Sequence, residues 1–126
     1  MKLLDTVKTA VSLGHSVEAK AADFLKQQGL RIIKKNYRCK GGEIDIIAQE
    51  GANLVFVEVR YRKSSRFGTP GETVTRKKQQ RVIKAAKLYL LELKELPPCR
   101  FDVIEGWPGS GTNVNFNWIQ NAFSCQ

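Results

Sequence analysis

The sequence predicts an α/β or α+β protein, with a sheet of about five strands and two principal helices in the order α-β-β-β-α-β-β. Two observations predict this class. Two segments carry apolar residues at helical spacing, and five shorter β-rich runs are separated by Gly, Pro and Asn turn signals. At 126 residues the chain has the length of one domain with its own core. We therefore expect one domain over residues 1–126, with residues 1–12 as a helical or flexible extension.

Both helices are predicted from the spacing of their apolar residues and from the signals that stop them. The first covers about residues 16–28, where apolar residues recur on one stripe and Gly29 is a natural C-terminal stop. The second covers about residues 75–96, where Pro97 and Pro98 end it.

The strands are predicted from apolar, β-branched and aromatic runs between turns. Residues 50–53, Glu-Gly-Ala-Asn, are a tight-turn signal, and the Gly- and Pro-containing residues 106–113 are a second one. A polar loop, residues 64–74, precedes the second helix. The predicted strands are residues 30–39, 43–49, 54–62, 99–105 and 114–120.

The charge of the chain favours a polyanionic partner. It has 21 Lys and Arg against 12 Asp and Glu, a net charge of +9. This excess favours nucleic acid first and an anionic membrane surface second. A charge that only keeps the protein soluble is the alternative. No uncharged apolar run has membrane-spanning length, so we expect no membrane-embedded segment.

Cysteine and histidine usage argues against two kinds of site. The three cysteines are scattered without a C-x-x-C spacing, and His15 is the only histidine. This set makes neither a disulfide framework nor a zinc site. The start of the chain has no long apolar core and no small-residue cleavage motif. We therefore expect reduced thiols and a cytoplasmic location.

Carboxylates lie inside two runs that otherwise have the composition of sheet core. If residues 51–52 are the centre of a tight hairpin, Asp45 lies opposite Glu58, and Ile47 lies opposite Phe56. Opposed side chains are about 5 Å apart at Cβ, where like charges repel. A divalent cation between them turns this repulsion into binding, and Mg²⁺ (or Mn²⁺) suits one or two carboxylates.

Each acid also has a structural interpretation. Glu43 falls opposite Arg60 in the same register, so the two can form a cross-strand ion pair. Asp45 can cap a turn or bind a backbone amide. Glu58 is harder to explain in this way, because valines flank it in an interior strand. Glu18 lies beside the inward stripe of the first helix and can join the acids or pair with a lysine at the helix edge.

A family resemblance rests on "GEIDIIA" followed by "FVEVR", together with the N-terminal "GHSVE" and the closing "RFDVIE". These motifs resemble the YraN family of small bacterial proteins, over nearly the whole chain after about residue 12. That family is similar to the restriction-endonuclease-like superfamily, of the PD-(D/E)xK type, which includes archaeal Holliday-junction resolvases. The resemblance implies an α/β fold with a mixed sheet, a Mg²⁺-dependent nuclease site and, by analogy with the resolvases, a homodimer. It also implies that Asp45 and Glu58 bind the metal and that Glu18 is an additional catalytic acid.

The chain departs from the superfamily signature at Arg60, where lysine is usual. Arginine stays protonated and is a poor general base, but it can bind a phosphate and stabilise negative charge. Arg60 is therefore kept as a catalytic candidate, and Lys63 and Lys77 are conceivable substitutes for the lysine. Two hypotheses remain: a nuclease acting on branched or damaged DNA, and a non-catalytic nucleic-acid-binding protein with a degenerate site.

Basic residues flank the loop of residues 64–74 on both sides. Four cations lie in the first turns of the second helix, where the helix dipole disfavours them, which suggests a nearby anion. A solvated basic face is the alternative. We expect the protein to recognise the phosphate backbone or the structure of a nucleic acid rather than its base sequence. The predicted nucleic-acid-binding residues are Arg62, Lys63, Arg66, Arg76, Lys77, Lys78 and Arg81.

Overall fold

The computed structural model describes residues 17–63 and 74–125, and these confirm the predicted order of helices and strands. The first helix, α1, covers residues 17–27 of the described part. The other elements are β1 (Arg31–Cys39), β2 (Gly42–Glu50), β3 (Asn53–Tyr61), α2 (Arg76–Leu91), β4 (Cys99–Pro108) and β5 (Val114–Phe123). The predicted extension, residues 1–12, lies outside the described residues.

The five strands form one mixed sheet in the order β1-β2-β3-β4-β5. The pairs β1–β2, β2–β3 and β4–β5 are antiparallel, whereas β3–β4 is parallel. Parallel neighbours need a crossover connection, and α2 lies between β3 and β4 in the chain. The α/β class with a mixed sheet is confirmed.

The β2–β3 hairpin has the predicted register. Gly51 takes a φ of 58°, as a tight turn requires, and Ile47 lies opposite Phe56. The ladder ends at the pair Ile46–Val57. The next residues toward the open end of the hairpin therefore leave the backbone pairing of β2 with β3.

The two helices cover opposite faces of the sheet. Side chains alternate between faces along a strand. On β3, Val55 and Val57 belong to the core cluster that includes α1, whereas Leu54 and Phe56 belong to the cluster that includes α2. The sheet is thus the middle layer between one helix on each side. Neither α2 nor the described part of α1 is long and apolar enough to cross a membrane.

The predicted end of the second helix was wrong. α2 ends at Leu91, five residues before the predicted position at Leu96. The N–H of Glu92 donates to the carbonyl of Tyr89 at 3.0 Å, which tightens the last turn. Leu91 and Leu96 are 80% and 77% exposed, so a longer helix would have no core surface to cover.

The predicted turn at residues 106–113 begins too early, because β4 continues to Pro108. Gly106 lies opposite Phe116, and a Cβ atom at Gly106 would be 3.2 Å from that ring. The glycine therefore gives space to an aromatic side chain within the sheet rather than making a turn.

Asp102, on β4, is a fully buried acid whose role is structural. Arg100 Nε donates to its carboxylate at 3.1 Å, and Trp118 Nε1 and the backbone N–H of Asn121 donate at 2.9 Å each. Both carboxylate oxygens are used. Trp118 also packs against the α1 core cluster.

Candidate active site

Asp45 and Glu58 meet where β2 and β3 stop pairing. Asp45 Oδ2 accepts the backbone N–H of Val59 at 2.9 Å, so the side chain replaces a backbone partner that β2 no longer provides. The predicted alternative for Asp45, a bond to a backbone amide, is therefore realised. The Glu58 carboxyl lies close enough to Asp45 for each to shift the pKa of the other.

Glu58 is a buried carboxyl group with a raised pKa. Its exposed fraction is 2%. Burial, followed by the charge of Asp45, raises the pKa of Glu58 to about 8. Burial also raises the pKa of Asp45, although the Val59 amide opposes this shift. If the carboxyl groups of Asp45 and Glu58 are both ionised, a cation beside them is needed to offset the repulsion between their charges.

Glu58 has an unused acceptor. Its Oε2 atom is buried and accepts no hydrogen bond from a donor group within the described residues, although the Glu58 carboxyl as a whole is hydrogen-bonded to Asp45. The comparably buried Asp102 uses both oxygens. Leaving a buried polar atom unpaired costs about 1–3 kcal/mol, and folded proteins contain few such atoms. This oxygen is thus a natural ligand for a cation.

Lys78, from α2, contacts the acidic residues Glu43 and Glu58. Its Nζ is 2.5 Å from Glu43 Oε1 and 3.7 Å from Glu58 Oε1. Burial opposes the charge of the ammonium, but the hydrogen bond to Glu43 and the charges of Glu58 and Glu43 outweigh it and raise the pKa of Lys78. The same hydrogen bond lowers the pKa of Glu43.

Two local features hold Lys78 in place. Thr75 caps α2, and its Oγ1 accepts the backbone N–H of Lys78 at 3.1 Å. Gly42 lets the helix approach the start of β2, because a Cβ atom there would be 2.5 Å from the carbonyl oxygen of Arg81. Lys78 and Glu43 are therefore brought together by close backbone packing.

The residues present fit Mg²⁺ better than a metal held by protein ligands on all sides. Within residues 17–63 and 74–125, no group of three or more His, Cys, Asp or Glu residues could hold a metal ion. Asp45 and Glu58 provide two carboxylates, one with a free buried oxygen. Mg²⁺ is commonly bound by one or two carboxylates and completes its octahedron with water and phosphate oxygens.

The predicted opposition of Glu43 and Arg60 is wrong. The β2–β3 ladder ends before them, and Arg60 instead lies opposite Glu105 on the parallel neighbour β4. Glu43 pairs with Lys78, and Arg81 Nη2 is 3.9 Å from the same oxygen. Arg60 still lies near Glu58, since its charge lowers the pKa of that group.

Glu18 lies half-buried in α1, next to the buried residues Val17, Ala21 and Ala22. The contacts that define Asp45 and Glu58 come from β2, β3 and α2. The role of Glu18 as an additional catalytic acid stays a prediction.

The other predicted nucleic-acid contacts fall in different environments. Arg62 Nε is 2.9 Å from Glu105 Oε2, and the Arg62 side chain is only 11% exposed, so this guanidinium is mainly a partner for a buried acid. Lys63, Arg76 and Lys77 are exposed. Arg66 lies outside the described residues. The predicted phosphate-tracking loop, residues 64–74, is outside them except for Val74.

A groove runs along α2 beside the end of the chain, with a volume of about 330 Å³. Its basic lining residues are Arg76, Lys84 and Lys87. No carboxylate lines it among the described residues. α2 carries six cations and no acid, and Lys78 and Arg81 are the ones directed at Glu43. Lys84 and Lys87 were not among the predicted contacts.

The position of Lys78 at the acids was not predicted from the sequence, although a signal for it was present. The buried stripe of α2 contains Val82, Ala85, Ala86 and Tyr89. Lys78 lies four residues before Val82 and thus extends this stripe by one turn toward the sheet. Lys77, the residue named as a substitute, is one position off the stripe and is exposed.

Comparisons with known proteins identify the family. The family model described as "Uncharacterised protein family UPF0102" matches residues 17–105. A UPF0102 protein of Hahella chejuensis is 50% identical over 118 residues, which are 92% of this chain and 93% of the relative. One from Symbiobacterium thermophilum is 53% identical over 112 residues, 88% of this chain and 95% of the relative.

The chain belongs to the UPF0102 family. The predicted resemblance to the YraN family is thereby confirmed. A further UPF0102 protein, from Pseudomonas syringae pv. tomato, is 46% identical over 121 residues, 91% of this chain and 94% of the relative. The UPF0102 match covers the segments that carry Glu18, Asp45, Glu58 and Lys78, so the candidate site lies inside the region shared with the family.

Proposed function

We propose that the protein is a Mg²⁺-dependent nuclease that cleaves phosphodiester bonds in DNA, with branched or damaged DNA as its substrate. The observation that carries the proposal is the buried pair Asp45 and Glu58, with a free oxygen on Glu58 and the cations Arg60 and Lys78 beside it. The net charge of +9 supports a polyanionic substrate. The superfamily resemblance supports the reaction type.

Each residue of the site has a role in this reaction. Mg²⁺ (or Mn²⁺), when bound, supplies Lewis acidity and a water of lowered pKa. Asp45 and Glu58 would hold the metal through their carboxylate oxygens. The Arg60 guanidinium donates hydrogen bonds to a phosphate oxygen and stabilises the charge that develops there.

A second candidate function is non-catalytic binding of nucleic acid. The observation that favours it is the arginine at position 60, where the superfamily signature has lysine. In this case the acids and Lys78 would form a neutralised structural cluster, and the basic surface would still bind the DNA backbone.

Metal binding and cleavage separate the two functions. Calorimetric titration of the chain with Mn²⁺ should show binding in the wild type and none in Asp45→Asn or Glu58→Gln. Cleavage should be tested on nicked, flapped, single-stranded and four-way-junction DNA, with Glu58→Gln as the blank. Mn²⁺ binding with no cleavage of any substrate supports the second function, and absence of Mn²⁺ binding rules out the first.

Location and assembly belong to the same proposal. The free thiols of Cys39, Cys99 and Cys125 support a reducing, cytoplasmic environment. A homodimer, by analogy with the resolvases, would present two sites to a branched substrate. Light scattering after size-exclusion chromatography tests this: a monomer with and without junction DNA contradicts the dimer.

A further inference from the structure

The site contains a lysine that the superfamily signature places elsewhere. We propose that Lys78, delivered by α2, is the functional lysine of the site in place of residue 60. This inference rests on the proposed nuclease function and adds a residue role to it. In the metal-free protein the Lys78 ammonium holds Glu43 and Glu58. With metal and DNA bound, it turns from Glu58 to a phosphate oxygen.

The contacts of Lys78 are those of a built site rather than of a surface charge. Its side chain is 22% exposed, and it reaches acids from both β2 and β3. Its position is fixed by the Thr75 cap and by the packing of α2 on Gly42. Its neighbour Lys77, on the same turn, is exposed. Of the consecutive cations Arg76, Lys77 and Lys78, Lys78 is therefore the one that contacts the acids.

The chemistry of the two cations explains the division of roles. Lysine carries a compact charge with three donors on a flexible stem, so it can move a short distance between carboxylate and phosphate. Arginine carries a planar fork suited to clamping a phosphate. Lys78 Nζ lies 3.7 Å from Glu58 Oε1, so the cation is already next to the metal-binding acid. Residue 60 can then be an arginine, because Lys78 supplies the lysine of the site.

This arrangement predicts two effects of opposite sign. The ammonium beside Glu58 repels a divalent cation, so its removal should strengthen metal binding by roughly tenfold or more. The same removal takes a positive charge from the transition state and should slow cleavage by roughly a hundredfold. Removal of a residue that only supports the fold would instead weaken metal binding and slow cleavage together.

The test uses Lys78→Met and, as its matched control, Lys94→Met at an exposed lysine outside the site. Mn²⁺ affinity is measured by calorimetry on the full chain without DNA, and cleavage is measured on the substrate panel above. We expect Lys78→Met to bind Mn²⁺ more tightly and to cleave more slowly, Lys78→Arg to recover part of the cleavage rate, and Lys94→Met to change neither. Arg60→Lys should give no gain in cleavage.

Three outcomes would overturn the inference. If Lys78→Met leaves Mn²⁺ affinity within twofold of the wild type while Glu58→Gln abolishes binding, the nuclease proposal stands and the role of Lys78 is refuted. A parallel loss of Mn²⁺ affinity, cleavage and thermal stability in Lys78→Met would show a purely structural role. If Glu58→Gln does not affect Mn²⁺ binding, the proposed function itself fails, and the inference fails with it.

Discussion

The buried Glu58 should make the stability of the metal-free protein depend on pH in an unusual direction. The ordinary pKa of a glutamate carboxyl is 4.5, and in the folded protein the pKa of Glu58 is about 8. Between these values the folded state binds one proton more than the unfolded state. The free energy of unfolding should therefore fall as pH rises through this window.

The size of the effect follows from the pKa difference. Each pH unit inside the window changes the free energy of unfolding by roughly 1.4 kcal/mol for one such proton. Between pH 5.5 and 7.5 the wild type should thus lose on the order of 2–3 kcal/mol through Glu58. Its side chain is 3% exposed, so solvent screening is small. Glu58→Gln cannot titrate and should lack this loss.

Urea unfolding in the presence of a chelator, at half-unit steps from pH 5 to 8.5, measures the effect. The quantity to compare is the difference in the free energy of unfolding between wild type and Glu58→Gln at each pH. Glu95→Gln, a change at an exposed glutamate, is the control. If the wild type and Glu58→Gln lose stability in parallel, Glu58 does not hold its proton in the folded protein.

Three further predictions concern α2 and Arg62. Gly42→Ala should lower the free energy of unfolding by about 1–3 kcal/mol, because the added Cβ overpacks against α2, and it should alter Mn²⁺ affinity in calorimetry. Gly29→Ala is the control: a Cβ atom there meets nothing within 4 Å, so Mn²⁺ affinity should stay unchanged. Arg62→Met should lower the free energy of unfolding by roughly 1–3 kcal/mol in urea, because the buried Glu105 loses one charged partner; wild-type stability would contradict this. Neutralising the three groove cations to Gln should weaken DNA binding and flatten its salt dependence in fluorescence anisotropy, more than the same change at three exposed lysines elsewhere. The groove set is Arg76, Lys84 and Lys87, and the control set is Lys35, Lys40 and Lys94.

The features that the sequence predicted well are those that local pattern determines. The turn at Gly51 and the alternation of apolar residues predicted the hairpin register up to the pair Ile46–Val57. Asp45 and Glu58 are the next residues beyond that pair, and their carboxyl groups lie close together. The order of helices and strands followed from the same periodicities. These signals act over a few residues, so tertiary contacts did not override them.

The features that the sequence could not provide depend on distant packing. Nothing in the sequence says that the ladder ends at Ile46, which removed the expected partner of Glu43. The choice of Lys78 depends on how α2 rests on Gly42, far away in the chain. The early end of α2 at Leu91 likewise reflects where core surface runs out.

The parallel β3–β4 pair sets an order of assembly for the site. The acids Asp45 and Glu58 belong to a hairpin whose contacts are local, and such contacts form early and fast. Lys78 arrives only with the crossover helix, whose docking closes a longer stretch of chain between β3 and β4. During folding we therefore expect a stage in which Arg60, but not yet Lys78, offsets the charge of the hairpin acids. Docking of α2 is then driven by charge as well as by apolar burial, and loss of Lys78 should slow that late step while leaving hairpin formation unchanged.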